Sequence, residues 1–140
     1  ITKKYFLTKY LFPQHCFIGN KINNLATSAI DMSDGFYGDL ENLINEKKIG
    51  ASINSSLIPF SIKTKQLIRN KIIHFNYLLS AGDDYELLFT AHSRYSSIIN
   101  KLAKKNNVKI TKIGKIIEKQ GLYLDKKKIK IINKSFGYFF

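Results

Sequence analysis

The chain has 140 residues, 44% hydrophobic and 24% charged, the balance of a globular protein with one core. Its apolar runs are only a few residues long, which excludes a bilayer-spanning helix, and the lone Cys16 excludes an intramolecular disulfide or a cysteine-built zinc site. A formal charge of +13 invites polyanions, yet of the 23 basic residues only Arg69 and Arg94 carry the forked guanidinium that grips phosphate with geometric specificity. The lysines are spread along the chain, with Lys126-Lys127-Lys128 the one short run, so a solvated surface is expected and neither nucleic acid nor membrane is a predicted partner. Ile1 to Leu7 shows no initiator Met and no apolar signal core; it reads as a cut or processed start in a cytoplasmic protein.

In chain order, Lys3 to Leu11 predicts a short helix stopped near Pro13, and Gly19 to Leu25 a second. Thr27 to Asp31 reads as a short buried strand. A strong helix signal follows from Ser33 to Lys47, with Phe36, Tyr37, Leu40, Leu43 and Ile44 at helical spacing and Gly50 as its stop. Ala51 to Asn54 predicts a strand, the stretch through Pro59 turns, and Lys63 to Ile73 a helix. Ser80 to Asp84 is expected as a loop leading into a strand, Tyr85 to Thr90. Ser93 to Lys105 is amphipathic, with Tyr95, Ile98, Ile99 and Leu102 on one face. Strands are then expected at Val108 to Ile117, Leu122 to Leu124 and Ile129 to Ile132. Interleaved helices and strands predict an α+β class, an α/β sandwich in which a mixed sheet is flanked by helices.

The acids are more informative than the lysines. Of ten, eight fall in two windows: Asp31, Asp34, Asp39, Glu41 and Glu46, then Asp83, Asp84 and Glu86. Crowded carboxylates repel unless solvent, a base or a cation compensates them. In the first window, Asp31, Ser33 and Asp34 stand where a strand ends and a helix begins. Ser33 and Asp34 can act simply as caps of the exposed helix N–H groups. Alternatively, the helix terminus attracts a phosphate, with magnesium held by one or two carboxylates and by phosphate oxygens, and Gly35 leaves room for close approach. The residues alone leave both readings open. Asp39 and Glu41 are expected to be ordinary solvated acids. In the second window, Asp83 and Asp84 suit a turn after Gly82, while Glu86, among apolar neighbours, is expected to pair with a lysine or face a polar site.

Taken together, Ser28-Ala29-Ile30-Asp31-Met32-Ser33-Asp34-Gly35-Phe36, Asp39-Leu40, and Ala81-Gly82-Asp83-Asp84-Tyr85-Glu86-Leu87-Leu88-Phe89-Thr90 resemble the thiamine-monophosphate kinases of the aminoimidazole-ribonucleotide-synthetase-like superfamily. Gly50-Ala51 and Leu57-Ile58-Pro59 also fall where that family has Gly-Ala and Leu-Pro. The resemblance implies an ATP-dependent transfer of a phosphoryl group onto thiamine monophosphate, giving thiamine diphosphate. It implies Mg2+ at Asp31 and Asp34, ATP contact at Ser33, and substrate contact at Asp83 and Phe136. It further implies a C-terminal kinase domain at 27–140, with 1–26 leading in from an N-terminal domain that supplies other ligands and a homodimer interface. The isolated chain is then expected to fold without turning over substrate.

Three departures stand out. The family's Gly-Gly is Ala81-Gly82 here, the basic stretch before the signature shrinks to Phe12-Pro13-Gln14-His15, and the C-terminal His is replaced within Ser135-Phe136-Gly137-Tyr138-Phe139-Phe140. The alternatives are another ATP-dependent member of the superfamily, a non-catalytic fragment, or a basic binding module. His15, His74 and His92 are scattered without metal spacing, and Cys16 reads as a small structural residue.

Overall fold

A computed structural model describes residues 2–12, 18–45, 48–82 and 85–129. Its helices are α1 (Thr2–Leu11), α2 (Gly19–Ile22), α3 (Phe36–Asn45), α4 (Ile62–Arg69), α5 (Phe75–Ser80) and α6 (Ser96–Lys105). Its strands are β1 (Ala26–Asp31), β2 (Gly50–Ile53), β3 (Leu87–Ala91), β4 (Gly114–Ile117), β5 (Gly121–Leu124) and β6 (Lys127–Lys128). The α+β class is as expected, and the larger sheet is mixed. Its order is β4-β2-β5-β6, with β2 antiparallel to β4, parallel to β5, and β5 antiparallel to β6. β1 and β3 form a separate antiparallel pair.

Helix α3 organises the core. Phe36, Tyr37, Leu40, Leu43 and Ile44 form one stripe and are all buried, Ile44 to 1% exposure. They pack with Ala51 and Ile53 of β2, Leu122 of β5, Leu79 of α5 and Ile58 from the loop after β2. From β1, Ile30 adds to this core, followed by Met32 just beyond the strand end. The pair β1–β3 is thereby held against α3.

Several sequence expectations shift. Helix α3 starts at Phe36, because Gly35 sits at φ +97°, outside the helical region, and separates Ser33 and Asp34 from it. Gly50 begins β2 instead of stopping a helix. A Cβ there would lie 2.1 Å from the Lys119 carbonyl oxygen and 2.5 Å from that of Gly121, so strand packing requires the glycine. β1 alternates half-buried and exposed residues, since its outer face meets no second layer among the described residues. The stretch from Val108 contributes only Gly114–Ile117 as strand, limited by the four residues of its partner β2. Helix α5 was not anticipated, although Phe75, Leu78 and Leu79 are helically spaced and Leu79 is buried. Ile98 stands exposed on α6, while Ile99 carries the contact with the interior. Of the segment expected as a strand at Ile129 to Ile132, only Ile129 is among the described residues; it follows β6 and packs on the core.

Two main-chain features fix the loops. Gly35 and Gly82 let the turn after β1 lie directly on the loop after α5. A Cβ on Gly35 would sit 2.7 Å from the Ala81 carbonyl oxygen, and one on Gly82 would sit 2.2 Å from that of Ser33. At the far side, Asp125 and Lys126 make the two-residue β5–β6 turn with φ of 49° and 69°. The Asp125 carboxylate accepts from the Ser55 N–H at 3.0 Å and from its hydroxyl at 2.6 Å, joining that hairpin to the 3-10 turn Ser55–Leu57. These two bonds from Ser55 hold the Asp125 carboxyl below the usual aspartate range.

Gly35→Ala is expected to destabilise the fold by about 1–3 kcal/mol, through positive φ and main-chain overlap, measured by urea denaturation. Gly19→Ala, where an added Cβ meets nothing within 4 Å, is expected to leave the midpoint unchanged or raise it. Because the folded Asp125 pKa is depressed, its contribution is present above the ordinary aspartate value of about 3.9 and disappears as pH falls through the lower folded value. Thermal melts of wild type and Asp125→Ala should therefore differ most near neutral pH and converge in acid.

Candidate functional site

Strand β1 delivers Asp31 opposite Leu87, and the ladder continues one step past the strands. The Met32 N–H donates to the Glu86 carbonyl at 2.9 Å, and the Tyr85 N–H donates to the Met32 carbonyl at 2.9 Å. The next residues, Ser33 to Gly35, turn against Ser80 to Gly82. Each acidic window is therefore anchored to the other through backbone. Asp83 and Asp84, which lie outside the described residues, are bracketed in sequence by Gly82 and Tyr85, and both of these touch the turn. Ala81, in place of the family's first glycine, sits at φ −74° and ψ 136°, ordinary extended backbone that needs no glycine.

Asp39 holds this turn from within α3. It is 2% exposed, and its Oδ2 accepts the Asp34 N–H at 3.0 Å. Burial pushes its carboxyl above the ordinary range, opposed by the Asp34 N–H, reinforced by the Asp34 and Asp31 charges, and opposed again by the Ser33 N–H. The expectation that Asp39 is a solvated acid is thus overturned. Helical spacing carried the signal: Asp39 falls between Phe36 and Leu43 on the buried stripe. Glu41 is half-buried on the same helix.

Of the sequence-predicted residues, Asp31 is exposed, and Ser33 and Asp34 are half-buried, neighbours in one turn. Among the described residues, no side-chain hydrogen bond or ion pair engages Asp31, Ser33 or Asp34, so of the two readings left open above, side-chain capping by Ser33 and Asp34 is not seen. Gly35 intervenes before the helix, and the turn's N–H is taken by Asp39 instead. Phe136, Cys16 and His15 lie outside the described residues, while His74 and His92 are exposed and apart from the turn. Glu86 precedes β3 instead of lying within it, and its side chain is exposed.

No group of three or more His, Cys, Asp or Glu able to hold a metal ion occurs among the described residues. Two oxygen-bearing side chains are nevertheless what a hard cation takes from a protein when phosphate oxygens and water complete its shell. Asp31 and Asp34 fit that limited share. A cavity of about 270 Å³ opens elsewhere, beside Thr27 and Thr90 at the other end of β1, and no carboxylate lines it. Asp31, Ser33 and Asp34 are not among its lining residues. No described helix is long and apolar enough to cross a membrane.

No family model matches the chain. The thiamine-monophosphate kinase of Buchnera aphidicola subsp. Schizaphis graminum is 38% identical over 138 residues, spanning 96% of this chain and 42% of that protein. The chain thus spans about two fifths of the length of this curated relative. Thiamine-monophosphate kinase from Stenotrophomonas maltophilia superposes with a TM-score of 0.78 at 28% identity, covering 89% of this chain and 40% of that one. A structure described as AaThiL complexed with AMPPCP and TMP shares the fold, with a TM-score of 0.78 at 24% identity over 99% of this chain and 42% of that one. By sequence along almost its whole length and by fold, this chain is similar to a C-terminal portion of the thiamine-monophosphate kinases.

Proposed function

We propose that the chain is the C-terminal part of a magnesium- and ATP-dependent kinase that phosphorylates thiamine monophosphate to thiamine diphosphate in the cytoplasm. Residues 27–140 form the domain that carries its share of the site. Residues 1–26 lead in from an N-terminal domain that contributes further ligands and the homodimer contact. Neither nucleic acid nor membrane is a partner in this reading.

The observation that carries it is the backbone union of the Asp31–Gly35 turn with the Ala81–Gly82 loop. Phosphoryl transfer onto a phosphate brings together two highly charged groups, so it needs charge neutralisation and in-line placement more than covalent chemistry. Asp31 and Asp34 would hold magnesium, which when bound offsets phosphate charge. Ser33 donates its hydroxyl to an ATP phosphate oxygen. Asp83 would contact the thiamine-bearing substrate, since a carboxylate near a cationic thiazolium is electrostatically favoured. Phe136 would supply an aromatic contact to the same substrate.

Asp31→Ala and Asp34→Ala are each expected to weaken magnesium-dependent ATP binding about tenfold or more, measured by titration calorimetry, because each removes a charged ligand. Their folding midpoints should stay close to wild type, since neither side chain is engaged among the described residues. Asp83→Ala should weaken thiamine-monophosphate binding about tenfold and leave ATP binding unchanged. Turnover should be negligible for the 140-residue chain and appear when an N-terminal domain is supplied. Steady turnover by the chain alone would refute the divided site.

A further inference from the structure

We propose that Asp39 is a positioning residue. By accepting the Asp34 N–H, it holds the Ser33–Asp34 turn from behind and leaves the Ser33 and Asp34 side chains free for ligand. This inference deepens the kinase reading and rests on it for the identity of that ligand.

Serine and aspartate just ahead of a helix ordinarily turn their own oxygens onto its first N–H groups. Here they do not. The helix begins only after Gly35, and the Asp34 N–H is taken at 3.0 Å by a carboxylate from inside α3. That carboxylate is 2% exposed, on a stripe otherwise made of Phe36, Tyr37, Leu40, Leu43 and Ile44. An apolar side chain would pack there without desolvating a charge, so packing alone does not account for an acid. What the acid adds is an acceptor aimed at the turn. On the opposite side the turn rests on Ser80 and Ala81 through the Gly35 approach. The main chain of the turn is therefore clamped between Asp39 and the loop, while Asp31 is exposed and the half-buried Ser33 and Asp34 side chains are unengaged among the described residues.

The experiment compares wild type, Asp39→Ala and Asp39→Asn by amide hydrogen exchange and by calorimetric titration with Mg2+ and ATP. Asparagine keeps an oxygen acceptor and alanine does not. In Asp39→Ala, exchange at Ser33 and Asp34 should rise about tenfold or more above any change at the amides of β2 and β5. Mg2+–ATP affinity of the folded protein should fall about tenfold, and Asp39→Asn should restore both. Unchanged exchange at Asp34 would overturn the proposal, as would faster exchange with unaltered affinity, which marks a purely structural contact. If wild type binds no Mg2+–ATP while the exchange response is present, the kinase reading falls and the clamp on the turn stands. Should Asp39→Ala fail to fold, a tenfold loss of either property in folded Asp39→Asn overturns the proposal.

Discussion

Between Gly35 and Gly82 two stretches of backbone approach so closely that a methyl group on either would overlap a carbonyl oxygen of the other. This contact is what turns two separate acidic windows into one locality. It relies on the β1–β3 ladder, which sets the register, and on the Met32 bonds to Glu86 and Tyr85, which carry the pairing past the strand ends. It also relies on α5, whose last residue Ser80 supplies one of the carbonyls beneath Gly35. Loss of any of these supports would separate the windows without touching an acid.

Helix α3 connects that contact to the core. One face of it buries five apolar side chains and one carboxylate, so the packing that stabilises the domain also orients the turn. Sheet packing on the far side, through Ala51, Ile53 and Leu122, fixes the helix in turn. The path from core to candidate ligands is short: Ile44 and Leu40 hold α3, α3 holds Asp39, and Asp39 holds Asp34. Tyr37 extends the arrangement sideways, its hydroxyl donating to Asn76 of α5 at 3.3 Å. Burial, then the nearby Asp125 charge, keeps that phenol above its usual range and so protonated.

Much of this was legible in the residues. The periodicity of α3 and α6 and the turn chemistry around Gly35 reflect local preferences, which a single sequence displays. The boundaries of α3 and β4 depended on tertiary facts, a positive φ at Gly35 and the short length of β2, so periodicity overran them. Gly50 shows the same limit: read locally it stops a helix, whereas its real constraint is the carbonyls of Lys119 and Gly121 on the neighbouring strand and turn. Asp39 was misplaced because acids are commonly exposed, and composition outweighed a spacing that already put it on the buried stripe. The family likeness suggests roles for Asp31, Ser33 and Asp34, but that their side chains are left unengaged among the described residues follows only from the fold.

The β1–β3 pairing has a consequence for how a bound ligand is felt. The turn and the loop it touches are the two ends of a long excursion of chain that contains α3, β2, α4 and α5. A molecule that bridges those ends closes the excursion a second time, and the excursion cannot come apart while the bridge remains. Binding energy at the turn should then register as resistance to opening of nearly the entire core, not of a surface loop alone. In such an arrangement occupancy and foldedness become two readings of the same equilibrium.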